Sequence, residues 1–181
     1  MARATTPFSG ITVLDFSRYL PGGYATQVLA DLGATVIKCE DTGAGDFIRH
    51  DYPTMGNGFS YYSTALGRNK KSVSLNLKDQ EVVDWFLKMA KEADVIVESF
   101  RPGVTKKLGI DYETINKINP RIIYCSISGY GAEDPRSKKA QHDLNMQATS
   151  GYLSVNHGGT FPLHLCGLFS GLVSGQALLA A

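Results

Sequence analysis

His142 and Asp143 stand next to each other and form the obvious candidate acid–base pair of the chain. A neighbouring carboxylate can hold an imidazole in one tautomer and raise its basicity, which suits proton transfer. Adjacent residues of a helix do not face each other, however, so a capping or packing role for His142 is the competing reading. A second constellation is cationic. Lys70, Lys71 and Lys78 flank one strand-like run, Lys106 and Lys107 follow another, and Arg18 follows a third. If those runs are neighbouring strands, the cations gather on one sheet edge and suit phosphate oxygens. Tyr19, Leu20, Leu75, Val104 and Leu108 would then form an apolar bed for a nucleotide base and a pantetheine-like arm. The competing reading is that the lysines are ordinary solvated charges. Cys39, Cys125 and Cys166 are odd in number and too far apart for a metal motif, so we expect no metal site. They read as reduced, buried thiols of a cytoplasmic protein.

The elements that must position these residues begin at Gly10. Ile11 to Phe16 is a β-branched, apolar strand, and Ser17 to Gly23 a turn-rich break. Tyr24 to Leu32 has the apolar spacing of one helix face, with Gly33 at the position of a C′ glycine. Ala34 to Lys38 is a second strand. This βαβ unit predicts a parallel, Rossmann-like α/β sheet with flanking helices, which binds ligands at the carboxyl ends of its strands. No G-x-G-x-x-G follows the first strand, and Gly43 and Gly45 follow the wrong one, so a dinucleotide site is not expected.

Residues 47–68 read as an irregular, aromatic connection able to cover a pocket. Ser72 to Asn76 alternates as a strand. Asp79 is placed to cap a helix whose inner face carries Val82, Val83, Phe86, Leu87, Met89, Ala90 and Ala93. Asp94 to Glu98 is a consecutively apolar, buried strand. Pro102-Gly103 turns the chain into one helical turn bearing two lysines. Asp111 caps a short helix with Tyr112, Ile115 and Ile118 facing inward, and Arg121 to Ser128 is a fifth strand. Gln141 to Gly151 reads as a helix, and the chain stops on an apolar helix ending at Ala181.

The 181 residues suit a single domain. A composition 43% hydrophobic and 19% charged supports a packed core, and a net charge of +1 without a basic stripe argues against nucleic acid as a partner. No apolar run approaches the length of a membrane span, so no membrane partner is expected.

Taken together, Gly10 to Phe16, Leu32 to Glu40, Gly45-Asp46, Asn69 to Ser72, Asp94 to Gly103, Leu108-Gly109 and Ser128 to Gly131 resemble the class III coenzyme A-transferases. That family includes formyl-CoA and carnitine-CoA transferases and the related α-methylacyl-CoA racemases. The resemblance runs from Gly10 onward. It implies that residues 1–181 are the N-terminal CoA-binding domain of a chain about twice as long, and that CoA or acyl-CoA is a substrate rather than a permanently bound cofactor. Family subunits interlock as rings, which implies a homodimer or a heterodimer with another family subunit. The CoA contacts carried over are Tyr19 and Leu20, Leu75 and Lys78, and Ser99, Val104, Lys107 and Leu108. Asp41 falls where some members carry an arginine near the adenine.

His142 to Asn145 resembles the racemase tetrad, which many transferases share. The family carboxylate, nucleophile in transferases and acid–base partner in racemases, aligns with Gly167, and no Asp or Glu occurs from Leu144 to Ala181. Three functions are therefore carried forward. The first is a CoA-transferase or a subunit of one, moving CoA between carboxylic acids. The second is an α-methylacyl-CoA racemase using His142. The third is a non-catalytic CoA-binding partner subunit, so made by Gly167.

Overall fold

The structure, a computed structural model, describes residues 6–155. Strand β1 (Thr12–Phe16) leads into helix α1 (Tyr19–Asp31) and strand β2 (Thr35–Glu40). A 3₁₀ turn (Phe47–His50) and helix α2 (Tyr61–Gly67) precede β3 (Lys71–Ser74). Then come α3 (Gln80–Glu92), β4 (Val95–Glu98), α4 (Val104–Leu108), α5 (Tyr112–Ile118), β5 (Ile123–Ser126), α6 (Asp143–Thr149) and α7 (Tyr152–Val155). The five strands form one sheet in the order β3-β2-β1-β4-β5, every pairing parallel. The α/β, parallel-sheet expectation holds.

Strand alternation divides the core between the two sheet faces. Leu14, Phe16, Cys39 and Ile96 point to the side of α3 and α5 and bury Val83, Phe86, Ala90 and Ile115 there. Phe16 meets Phe86 edge to face with ring centroids 5.0 Å apart, a pairing that adds about 0.5–1.5 kcal/mol to simple burial. Val13, Val36 and Val97 point the other way and pack with Ala30 and Ala34 beside α1.

Three expectations are corrected. The first helix starts at Tyr19, and Pro21-Gly22-Gly23 lies inside it rather than in a break. Pro21 is in the first turn, where the missing N–H has no intrahelical partner to lose. Gly22 is there because a Cβ would collide with the side chain of Ser17. Residues 47–68 are not irregular throughout: Asp46 caps the 3₁₀ turn through Ile48 N–H, and Ser60 caps α2 through Tyr62 N–H. In α5 only Ile115 is fully buried, while Tyr112 and Ile118 are exposed. Asp79 and Asp111 cap α3 and α5 as the sequence suggests, accepting from Glu81 N–H and Thr114 N–H. Gly167 and Cys166 lie outside the described residues.

Candidate functional site

All five strands being parallel, the loops after them share one edge. The chain winds one way from β1 to β2 and β3 and the other way to β4 and β5, so the switch point of the sheet lies between β1 and β4. There the two loops are joined directly: Arg18 N–H donates to Ser99 Oγ at 2.7 Å. Tyr19, Leu20, Ser99, Val104, Lys107 and Leu108 come from the loops and helices on either side of this junction, and Leu75 and Lys78 from the loop after β3 on the same edge.

Their exposure differs. Tyr19, Lys78 and Lys107 are exposed, and Ser99 and Val104 are half-buried. Leu20 and Leu75 are buried at 6%. Leu75 belongs to the core beside Phe86, and Leu108 packs against that same core. The side chains of Leu20 and Leu75 therefore do not form an open apolar bed. Gly103, at φ +86°, provides the left-handed turn that starts α4 and so places Val104 and Lys107.

The cationic constellation divides as well. Lys71, Lys78, Lys106 and Lys107 are exposed. Lys70 is not a phosphate-facing cation. Its side chain is 3% exposed, and its Nζ lies 3.1 Å from Asp15 Oδ2 while donating to Gly23 O at 3.0 Å and Thr26 Oγ1 at 2.6 Å. Arg18 pairs with Asp41 at 2.7 Å and lies 5.2 Å over the ring of Phe47. Phe47 in turn stacks on Tyr19 at 6.0 Å.

Beneath this edge lies a charge network that the sequence reading missed. Asp15 of β1 and Lys38 of β2 are register partners. Lys38 Nζ stands 3.7 Å from Asp15 and 3.0 Å from Asp46 and also donates to Ser17 O. Glu40, at the end of β2, accepts from Arg49, from Ser72 and from the backbone N–H of Asp46. Glu98, at the end of β4, accepts from Phe100 N–H and from Ser126 of the neighbouring strand. The sequence signal was the charged residues within β1, β2 and β4, which spacing alone does not connect to a partner.

Burial would raise the pKa of Asp15, but Lys38 and Lys70 bring it below the ordinary carboxylate value. Burial likewise opposes the Lys38 ammonium, and Asp15 and Asp46 overcome it and hold its pKa above normal. Lys70 goes the other way: burial, with Lys38 nearby, outweighs the pull of Asp15. Burial also opposes ionised Glu40, yet bonds from Arg49, Asp46 and Ser72 pull it down to about 2. Burial raises Glu98. Burial pushes the Cys39 thiol up to about 12, and raises Cys125, which fits unreactive structural thiols.

His142 is exposed and stands at the N-cap of α6 without a side-chain cap bond. Gln141 beside it accepts the N–H of Gly129, which ties α6 to the loop after β5. The carboxylate of Asp143 accepts from Gln147. Among the described residues no group of three His, Cys, Asp or Glu side chains is arranged to hold a metal. No helix among them is long and apolar enough to cross a membrane.

Residues 8–181 match the model of CoA-transferase family III. The chain belongs to that family. It is 40% identical over 185 residues to the acetyl-CoA:oxalate CoA-transferase of Acetobacter aceti, covering 96% of this chain and 47% of that protein. It is 44% identical over 149 residues to the succinyl-CoA:glutarate CoA-transferase of Mus musculus, covering 82% of this chain and 34% of that one. A CaiB/BaiF family protein from Brucella suis superposes with a TM-score of 0.86 at 33% identity, over 97% of this chain and 49% of its own. The chain thus spans about half the length, or less, of the relatives it matches.

Proposed function

We propose that this chain is the CoA-binding domain of a CoA-transferase that moves CoA between carboxylic acids. The observation that carries the reading is the switch-point edge. In a member of this family, the loops after β1 and β4 meet through Arg18 and Ser99, with the exposed cation Lys107 on the helix that follows. The nucleotide end of CoA would lie across Tyr19 and Ser99. Lys107 and Lys78 would face its phosphates, and Val104 would line the arm. Leu20, Leu75 and Leu108 would act from behind, by packing the loops that make these contacts. Its substrates would be an acyl-CoA and a free carboxylic acid, with CoA arriving and leaving rather than staying bound. Transfer is favoured over racemisation by the transferase names of the relatives, and the free thiols of Cys39, buried, and Cys125, half-buried, fit a cytoplasmic setting.

Gly167 bears on how far the chain goes alone. Transfer through a covalent intermediate needs a side-chain carboxylate that attacks the thioester carbonyl. Glycine has none. Asp143 is the nearest carboxylate in sequence and lies on α6. Cys166 could attack a thioester, but it would exchange one thioester for another and free CoA, whereas a carboxylate would form an acyl anhydride. The reading is therefore of a chain that binds CoA and forms no aspartyl adduct unaided, working as a homodimer or with a family subunit. Titration with CoA and incubation with succinyl-CoA and a panel of acids test it. We expect saturable CoA binding and no adduct, and a hydroxylamine-sensitive adduct in Gly167→Asp once the remainder of the fold is supplied. Robust turnover by the unmodified chain, with an adduct mapped to Asp143, would show that the nucleophile is misplaced here.

A further inference from the structure

The loop that opens the switch point holds its shape through side chains rather than through regular backbone pairing. Ser17 N–H donates to Asp15 Oδ1 at 2.9 Å, Ser17 O accepts from Lys38, and Arg18 N–H donates to Ser99 at 2.7 Å. Tyr19 N–H donates to Asp46 Oδ1 at 3.1 Å. Tyr19 has φ +58°, a left-handed conformation that is costly for a bulky residue and persists only where its surroundings enforce it. Asp46 comes from a different part of the chain, past β2, and is itself fixed from three sides. Its N–H donates to Glu40 at 3.0 Å, its Oδ2 lies 3.0 Å from Lys38 Nζ, and its Oδ1 also accepts Ile48 N–H at 3.2 Å. It is 4% exposed, so water does not compete strongly for these bonds.

We infer that Asp46, clamped by Lys38 and Glu40, is a positioning residue for the CoA site: it holds Tyr19 in its left-handed conformation and so presents the Tyr19 face at the switch point. The inference rests on the CoA-binding reading and adds to it a residue that need not touch the ligand. The carboxylate has two tasks, both carried by Oδ1. Toward Ile48 it caps the 3₁₀ turn, which is a matter of stability. Toward Tyr19 it sets the loop, which is a matter of affinity.

The test compares Asp46→Ala, Asp46→Asn and the core variant Ile115→Val in the full chain, below all unfolding midpoints. CoA affinity is read by calorimetry and the exchange of the Tyr19 amide by hydrogen–deuterium measurement. Asp46→Ala should weaken CoA binding about tenfold or more and speed Tyr19 exchange, the scale expected for bonds to a buried carboxylate. Asp46→Asn keeps an oxygen for Tyr19 N–H and should recover part of both. Ile115→Val should lower the melting temperature and leave affinity unchanged. Equal CoA affinity in Asp46→Ala and the unmodified chain would overturn this inference alone. Failure of the unmodified chain to bind CoA would overturn the functional reading and this inference with it.

Discussion

Asp15 is wholly buried in the central strand, and its ionisation is bearable only because four groups answer it. Lys38 and Lys70 supply charge, and Ser17 and Thr26 supply hydrogen bonds. Removing the charge of Asp15 leaves the Lys70 ammonium buried without its ion-pair partner, while Lys38 keeps Asp46. Asp15→Asn should therefore destabilise the fold by about 3–5 kcal/mol, read from urea denaturation. Lys70→Met in that background should recover part of the loss, because it removes an orphaned ammonium. If the double variant is no more stable than the single one, the pairing is not what holds Asp15. Glu40 makes a prediction about pH. Its folded pKa of about 2 lies below the ordinary carboxylate value, so the unfolded chain takes up a proton first as pH falls. The stabilisation from Glu40 is complete above about pH 4.5 and disappears as pH drops toward 2. Glu40→Gln should flatten the stability profile across that window and leave its slope above pH 5 unchanged.

Helix α3 shows how elements are fixed from both ends. Asp79 caps its start, and the amide of Asn119, reaching from beyond α5, donates to Ala90 O at 3.0 Å and Ala93 O at 2.7 Å. Asn119 is 8% exposed, so these carbonyls have little water to replace it. Asn119→Ala should cost about 1–3 kcal/mol, and Asn119→Asp should not restore it, since a carboxylate cannot donate. Helix α4 carries the affinity counterpart. On the proposed CoA site, Lys107→Glu should weaken CoA binding while Lys106→Glu should not, and equal, negligible effects in a titration would remove the cationic site. Periodicity and caps made α3 and the buried strands legible in the sequence. They failed at the start of α1, because Pro21 and Gly22 read as a stop until Ser17 is seen folded back against Gly22. The candidate site was half legible for the same reason. Local signals marked the loops after the strands, but Asp15, Lys38 and Asp46 acquire their roles only when β1 and β2 lie side by side.

At the scale of the molecule, the parallel sheet could be read from its βαβ opening, whereas the strand order could not, because no local signal says on which side of β1 the fourth strand inserts. That order leaves β5 at an edge among the described residues. Ile123 of β5 is the register partner of Val95 and points to the α1 face. Helix α1 packs on β1, β2 and β4. Ile123 thus stands beyond its cover and is 63% exposed, with Leu144 of α6 exposed at 51%. The opposite edge differs in kind: in β3, Lys71, Ser72 and Ser74 are exposed, and a short, polar strand of this sort resists pairing. Association is therefore expected on the β5 side. In light scattering the chain should form dimers or larger species as concentration rises, or pair with a family subunit. Ile123→Thr, which keeps a β-branched residue in the strand, should shift the distribution toward monomer with little change in melting temperature. A monodisperse monomer at high concentration would count against the assembly, and an unaltered distribution in Ile123→Thr would move the interface away from β5.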